Sequence, residues 1–194
     1  MSRLHTSFVL GYHGCDESIG RKAINGETQI QHSTEEYDWL GTGAYFWEND
    51  PRRAMEWAQE KMRRGVFKSP FVVGAVINLE NCLDLTVRED LETVRLAAES
   101  FRTLQENSGL PMPENKSAPK DDRDDNVLRY LDCAVINHLH AMIGEGLKLE
   151  PYDTVRALLP EGGKLYDGAG FSDRTHCQIA VRNMKCIKGL FIPL

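Results

Sequence analysis

The pattern of apolar positions predicts a chain that mixes short strands with amphipathic helices. Short apolar or aromatic runs predict strands at residues 7–12, 44–47, 71–79, 177–181 and 187–192. The run at 71–79 is the clearest of them, and residues 82–85 are expected to continue it briefly. Polar positions and turn residues separate all these runs, which is typical of strands within a folded domain.

Four further stretches predict helices. They lie at residues 17–24, from Asp50-Pro51 to Gly65, at about 89–105 and at about 126–143. The second helix has the best-defined ends, because Asp50 can cap free amides, Pro51 suits the first helical position and Gly65 can end the helix. In the last two, apolar residues recur at helical spacing.

Three segments are expected to be loops, at residues 27–43, 107–125 and 160–174. The middle one holds three prolines and a run of Asp and Lys, which favours disorder. The order β-α-β-α-β, a helical insertion at about 86–143, and then β-β predicts an α+β fold, since regular crossover helices are missing. We expect residues 1–194 to form one domain.

Composition narrows the possible partners and the compartment. The chain has 194 residues and a net charge of −6, which argues against bulk attraction to nucleic acid or anionic lipid. A basic cluster at 52–68 could bind phosphates or nucleic acid, although a solvated helix face is the favoured interpretation. No apolar run long enough to span a membrane is present, and Met1–Thr6 lacks the apolar stretch of a signal peptide. We therefore expect a cytoplasmic protein with no membrane partner.

The cysteines and histidines do not suggest a metal site. The five cysteines include no Cys-x-x-Cys pair, and they are expected to be reduced thiols. Only His176-Cys177 and the pair His138 and His140 approach the clustering that zinc requires, so we expect no bound metal.

Three positions are candidates for chemistry because they lie on strands or at strand ends. His13, with Gly14, is expected to end the first strand, Tyr45 follows Gly41-Thr42-Gly43, and Gln178 lies in the penultimate strand. Taken singly, each also has an ordinary structural explanation: a turn, a core aromatic residue and an outward strand residue. Their order along the chain is the more informative feature.

Tyr12-His13-Gly14, followed by Gly41-Thr42-Gly43-Ala44-Tyr45-Phe46, a helix and a polar strand residue near the C-terminus, resembles the ADP-ribosyltransferase superfamily. The similarity is to the diphtheria-toxin and poly(ADP-ribose)-polymerase branch, which carries His, Tyr and Glu on three strands. It covers about residues 7–80 and 150–192. It implies a split, mixed or antiparallel sheet and transfer of ADP-ribose from NAD with release of nicotinamide.

The resemblance also implies roles for particular residues. His13 would hydrogen-bond a ribose hydroxyl of NAD, the Gly14 backbone would hold the carboxamide, and Tyr45 would stack on nicotinamide. Tyr166 and Phe171, in the glycine-rich loop, would contact a macromolecular target, more plausibly a protein than a nucleic acid. Toxin and phage-defence roles, common among small bacterial relatives, follow only by analogy.

Two departures from the family pattern leave alternatives open. The third position is Gln178 rather than Glu, and an amide can orient a hydroxyl but carries no charge. Glu56 replaces a second stacking tyrosine, with Trp57 beside it as a possible substitute. Candidates for a replacement acid are Glu48, Glu161 and Asp173, each more readily explained as a solvated loop or capping residue, while His176 could support the site from the same strand face as Gln178.

The leading hypothesis is an NAD-dependent mono-ADP-ribosyltransferase with His13, Tyr45 and Gln178 as catalytic residues. NAD would be held by His13, Gly14, Tyr45 and Trp57. An NAD glycohydrolase, an inactive NAD- or ADP-ribose-binding module, and an interaction protein that uses the helical insertion are the alternatives.

Overall fold

The structure, a computed structural model, describes residues 8–117, 127–145 and 149–194. Its strands are β1 (Phe8–Asp16), β2 (Ala44–Glu48), β3 (Pro70–Asn78), β4 (Cys82–Asp84), β5 (Thr154–Leu159), β6 (His176–Val181) and β7 (Ile187–Phe191). Its helices are α1 (Glu17–Ile24), α2 (Pro51–Arg63), α3 (Arg88–Ser108) and α4 (Tyr130–Glu145). The predicted α+β class is therefore confirmed.

The strands form one mixed sheet in the order β4-β5-β6-β2-β1-β3-β7. Every neighbouring pair is antiparallel except β4 and β5, which are parallel. The sheet therefore brings β1, β2 and β6 side by side at its centre, although β6 lies far along the chain from the other two. These three strands carry His13, Tyr45 and Gln178.

A fork opens in the middle of this sheet between β1 and β2. The two strands pair only at Gly11 with Glu48 and at Tyr12 with Trp47, and then they separate. Beyond that point β1 continues along β3 as far as Asp16, while β2 continues along β6. Where two neighbouring strands separate, backbone N–H and C=O groups lose the hydrogen bonds that continued pairing of the strands would give them.

Helices cover both faces of the sheet, and the side-chain alternation of the strands determines what each face buries. One face, with Phe46, Val73 and Ile179 at its centre, packs under α1 and the segment around Ile30. The opposite face carries Tyr12 and Trp47, against which α2 packs. Farther along this second face, α3 and α4 pack over Val155 and Ala180.

The predicted helix ends are confirmed at α1 and α2. The Asp16 side chain accepts a hydrogen bond from the Ser18 amide, and Asp50 accepts one from the Arg53 amide, so both aspartates cap a helix. Gly65, just past the end of α2, has φ +73°, a conformation that glycine adopts without steric cost.

Two predictions about the strands were wrong, and one strand was missed. His13 and Gly14 lie inside β1 rather than at its end, because β3 pairs with β1 as far as Asp16. Residues 82–84 do not continue β3; they form β4 at the far edge of the sheet, beside β5. Strand β5 itself was not predicted.

The helical insertion packs on the sheet rather than standing apart from it. Ala97 of α3 and Leu139 of α4 belong to the same buried cluster as Val155 of β5. Helix α3 extends to Ser108, into the segment predicted to be a loop, and part of that segment (118–126) lies outside the described residues. No described helix has the length and apolar character needed to cross a membrane.

All five cysteines are free thiols, as predicted. Burial is the main cause that raises their pKa values, to about 11 for Cys15, Cys133 and Cys186 and to about 12 for Cys82 and Cys177. These thiols are therefore protonated at neutral pH and are poor nucleophiles. Within the ranges that the structure covers, no three potential metal ligands cluster together.

We predict that the protein loses stability in mild acid, in part through His140 of α4. Burial, with the positive charge of Arg182, lowers the pKa of His140 from 6.5 to about 4. The unfolded chain then binds a proton more readily than the folded one. The contribution of neutral His140 to the free energy of unfolding is therefore fully present above pH 7 and falls as the pH drops through 6.5. By pH 5 the loss from this histidine reaches about 2 kcal/mol.

Denaturant unfolding at pH 7 and pH 5 tests this prediction. His140→Gln removes the titrating group, so the loss of stability between the two pH values should be smaller by about 2 kcal/mol. Burial also lowers the pKa values of His13 and His176, which remain in both proteins and should leave a residual acid dependence. An unchanged acid dependence in the variant would contradict the assignment.

Candidate functional site

A cleft opens on the α2 side of the sheet at the fork between β1 and β2. We call it the fork cleft; it has a volume of about 480 Å³, within the usual range for small-molecule sites. The residues proposed from sequence to bind or react with NAD all line it: His13, Gly14, Tyr45, Trp57 and Gln178. Residues up to 165 positions apart in sequence (178 − 13) thus meet at one concave site.

His13 bridges the fork. Its ring Nδ1 lies 2.8 Å from the backbone oxygen of Tyr45, and because a carbonyl only accepts, Nδ1 carries the proton. Burial lowers the pKa of His13, which favours the neutral ring at pH 7. The remaining nitrogen, Nε2, is therefore a lone-pair acceptor that a ligand hydroxyl could reach.

Gly14 presents backbone groups to the opening. The Leu10 carbonyl accepts a bond from the Asn49 amide at 2.9 Å, and backbone groups of alternate residues in a strand point to the same side. The amide and carbonyl of Gly14 therefore also point toward β2, where pairing has ended. A Cβ at Gly14 would lie 2.4 Å from the Ala54 carbonyl oxygen, so α2 can approach this closely only over a glycine.

The Tyr45 ring is held in one orientation by its hydroxyl group. That hydroxyl donates to the Gly41 carbonyl at 2.8 Å and accepts from the Leu40 amide at 3.0 Å. Burial raises the pKa of Tyr45 well above its usual value, so the phenol stays protonated and serves as an anchor. The ring itself lines the fork cleft, where a flat ligand could stack on it.

Gly41 is required for this anchor. Its φ is +74°, and a Cβ there would lie 2.7 Å from the Asn137 side-chain oxygen, so only glycine fits between the loop and α4. That same Asn137 oxygen accepts from the Thr42 amide at 3.0 Å. Helix α4, outside the resemblance, thus fixes the loop that positions Tyr45.

Trp57 of α2 forms part of an aromatic wall. Its ring packs against Trp47, with centroids 5.9 Å apart, and the Lys61 ammonium lies 4.9 Å from its centroid. Lys61 and Arg64, from the basic cluster at 52–68, line the same cleft. The remainder of the cluster is divided: Arg52 pairs with Glu56 on the exposed side of α2, while Arg53 turns inward.

Gln178 is almost fully buried, and its amide contacts a residue that sequence reasoning did not identify. The indole Nε1 of Trp39 donates to Gln178 Oε1 at 2.6 Å. Both side chains line the fork cleft. Trp39 lies in the polar segment 27–43, and nothing local in the sequence signals a partner 139 positions away.

Glu161 is buried in the wall of the fork cleft, contrary to the expectation of a solvated residue. The Arg53 Nη2 donates to both carboxylate oxygens, at 2.7 and 2.9 Å, and the two side chains are only 11% and 10% exposed. The Arg53 guanidinium also lies over the Trp47 ring, 5.5 Å from its centroid. Glu161 and Arg53 therefore form a charge-assisted hydrogen-bonded pair inside the wall of the cleft.

His176 packs against this wall, and its predicted role in supporting the site stays a prediction. Its Nδ1 lies 2.7 Å from the Arg174 carbonyl oxygen and 3.7 Å from Glu161 Oε2. Burial lowers the pKa of His176, and its ring stands 6.2 Å from that of Trp47. Three buried nitrogens of these touching side chains have no hydrogen-bond partner in the described chain: Trp47 Nε1, Arg53 Nε and His176 Nε2.

The two other candidate acids have structural partners. Glu48 pairs with Arg156, with a shortest distance of 2.6 Å, and Asp173 accepts from the Gly163 amide at 2.9 Å. Neither lines the fork cleft. Of the three candidates for a replacement carboxylate, only Glu161 reaches it.

Comparisons with known proteins do not identify a relative. No protein-family model matches the sequence, and no curated protein or solved structure is significantly similar to the chain.

Proposed function

We propose that the protein is an NAD-dependent mono-ADP-ribosyltransferase with an ADP-ribosyltransferase-like fold, and that the fork cleft binds NAD. One observation carries the proposal: His13, Gly14, Tyr45, Trp57 and Gln178, chosen from sequence alone, all line a single cleft at a break in the central sheet.

The chemistry of each position supports nicotinamide binding. The Tyr45 ring offers a flat surface for a planar heterocycle, and the Gly14 backbone offers a donor and an acceptor suited to a primary amide. His13 Nε2 can accept from a ribose hydroxyl, since its other nitrogen is engaged with Tyr45. Lys61 provides positive charge for the diphosphate on the same cleft, where Arg64 is already paired with Glu60.

In the proposed reaction, the bond between ribose C1′ and the nicotinamide nitrogen breaks, and its electron pair leaves with nicotinamide. An acceptor nucleophile then forms a bond to C1′ and loses its proton to solvent. The contribution of the protein is to orient the ribose and the leaving group in a confined site. Gln178 can orient a hydroxyl but cannot neutralise the developing positive charge, so we expect a slow enzyme that transfers single units.

The glycine-rich loop 160–174 suits contact with a macromolecular acceptor. Its two sides are joined by backbone bonds, including Leu165 N to the Phe171 oxygen and Asp173 N to the Gly163 oxygen, both 2.9 Å. In the middle of this loop, the side chains of Tyr166 and Phe171 are 59% and 66% exposed. Large aromatic side chains in such exposed positions are typical of protein-binding surfaces.

We predict that the double variant Tyr166→Ser with Phe171→Ser separates NAD cleavage from transfer. These side chains lie outside the fork cleft, so nicotinamide release measured without extract should stay within about twofold of wild type. Modification of the target should fall at least tenfold, because the acceptor loses its apolar contacts. The measurement is the ratio of protein-bound to free ADP-ribose in cell extract; an unchanged ratio would assign target binding elsewhere.

The proposed function itself is tested by incubating purified protein with labelled NAD and cell extract. We expect label on protein or nucleic acid and release of nicotinamide, both lost in Tyr45→Ala. Glu56→Ala, on the exposed side of α2, serves as a control that should keep both. Free ADP-ribose as the sole product would instead identify an NAD glycohydrolase.

An inactive binding module is the second candidate, and Gln178 favours it. If the missing carboxylate abolishes chemistry, the protein should bind NAD or ADP-ribose in calorimetry with no nicotinamide released even in extract. Gln178→Glu would then be expected to create measurable NAD cleavage, because it adds a negative charge in the cleft.

A further inference from the structure

Trp39 fixes the direction in which the Gln178 amide points. An indole N–H can only donate, so the amide oxygen of Gln178, 2.6 Å from Trp39 Nε1, must face Trp39. The amide nitrogen is then on the side away from Trp39. Side-chain amides can otherwise rotate to offer either atom, and here one contact removes that choice.

The loop around Trp39 is held firmly enough to act as a support. Asp38 to Gly41 forms a turn closed by a 2.8 Å bond from the Gly41 amide to the Asp38 carbonyl. Leu40 is fully buried, and its amide donates to the Tyr45 hydroxyl. The indole of Trp39 therefore extends from a closed turn whose next residue, Leu40, is bonded to Tyr45 of β2.

The amide nitrogen of Gln178 is available to a ligand. Gln178 lines the fork cleft, and its nitrogen has no hydrogen-bond partner among the residues that the structure describes. Among the described residues this nitrogen is not one of the buried polar atoms that lack a partner, so it opens onto the fork cleft although the residue as a whole is only 9% exposed. An oxygen of a molecule bound in the cleft could accept a hydrogen bond from it.

The surroundings of the amide favour an uncharged oxygen. Gln178 pairs across the sheet with Trp47 on one side and Ala157 on the other, and neither side chain carries a charge that would bind a phosphate. A hydroxyl oxygen needs no such charge. In NAD, the uncharged acceptors near the reacting carbon are the hydroxyls of the nicotinamide ribose.

We propose that Trp39 is a positioning residue that holds Gln178 as a fixed hydrogen-bond donor to a hydroxyl of the nicotinamide ribose. This inference rests on the proposed function and deepens it. It gives Gln178 the role of recognising that hydroxyl, rather than that of an inactive replacement for a glutamate. A site that hydrogen-bonds a substrate hydroxyl discriminates against analogues that lack it.

The Trp39–Gln178 contact can be tested without any substrate. The chain has three tryptophans, and therefore three indole N–H signals in a ¹⁵N-labelled sample. The signal lost in Trp39→Phe identifies Trp39. In Gln178→Ala this signal should move upfield and exchange faster with water, while an unchanged signal would overturn the inference.

The donor role is tested by the kcat/KM of nicotinamide release in a double-mutant cycle. Trp39→Phe and Gln178→Ala should each lower kcat/KM by roughly tenfold, the value of one hydrogen bond. The double variant should be no slower than Gln178→Ala alone, because Trp39 acts through Gln178. If the kcat/KM losses of the two single variants multiply in the double variant, the inference is overturned.

Tyr130→Phe is the matched control for loss of a polar atom near this loop. Tyr130 packs edge-on against Tyr37, with centroids 6.0 Å apart, and does not line the fork cleft. We expect its kcat/KM to match wild type. If all four variants unfold at temperatures similar to that of wild type, the losses of kcat/KM do not reflect unfolding.

NAD analogues lacking one or the other hydroxyl of the nicotinamide ribose identify the acceptor. With the wild-type protein, one analogue should have a kcat/KM about tenfold lower than that of NAD. With Gln178→Ala, the same analogue and NAD should have equal kcat/KM values. Equal losses in both proteins would overturn the donor role. If wild-type protein releases no nicotinamide at all, the proposed function fails and the donor role with it, whereas the indole signal still decides the contact.

Discussion

Replacing His13 with alanine is expected to lower nicotinamide release by about 100-fold, because the substitution affects both the geometry and the chemistry of the fork cleft. His13 Nδ1 bonds the Tyr45 carbonyl and so determines the spacing of β1 and β2 where they separate. Nε2 is the acceptor that we assign to a ribose hydroxyl. Loss of both should reduce ribose positioning while the rest of the sheet remains paired.

His13→Asn separates these two contributions. An asparagine amide nitrogen can occupy the position of Nδ1 and keep the bond to Tyr45, but nothing replaces Nε2. We expect a thermal unfolding temperature close to wild type with nicotinamide release still reduced at least tenfold. An asparagine variant with full activity would show that only the bridge across the fork is needed.

Replacing Glu161 with alanine should lower the stability of the protein by about 3 kcal/mol, since it leaves the Arg53 guanidinium buried without its carboxylate. Arg53 is only 11% exposed, and its Nη2 donates to both carboxylate oxygens of Glu161. For a chain of this length the loss corresponds to roughly 10 °C in unfolding temperature. Target modification should fall as well, because Glu161 anchors the start of the loop 160–174.

The neighbouring pair Arg52–Glu56 provides the control. It lies on the same helix with both side chains exposed, and Glu56→Ala should shift the unfolding temperature by no more than about 1 °C. A combined Arg53→Met and Glu161→Leu variant should recover most of the lost stability, since no charge is then left buried. A Glu161→Ala protein as stable as wild type would contradict the burial of this pair.

Local sequence patterns predicted most of the elements that carry the candidate site. The bounds of α1, the Asp50-Pro51 start of α2 and the strands of Tyr45 and Gln178 all followed from periodicity and capping residues. These signals lie within a few residues of each other. They were sufficient to place His13, Tyr45 and Gln178 on three separate strands through the resemblance, while the adjacency of those strands emerged only from the structure.

Features that depend on long-range pairing were not predictable in this way. Strand β5 is short, and its residues alternate weakly, because it is paired on both sides and packed under α4. Glu161 owes its burial to Arg53, 108 positions away, and Trp39 owes its role to Gln178. A charged or polar residue carries no local mark of a distant partner, so these side chains resembled ordinary loop residues.

Nicotinamide release from NAD by the purified protein, measured with and without cell extract, tests the central claim most directly. We expect release that Tyr45→Ala and His13→Ala abolish or reduce about 100-fold, and that extract accelerates by supplying the acceptor. No release in either condition, together with no detectable NAD binding, would contradict the assignment of the fork cleft as an NAD site.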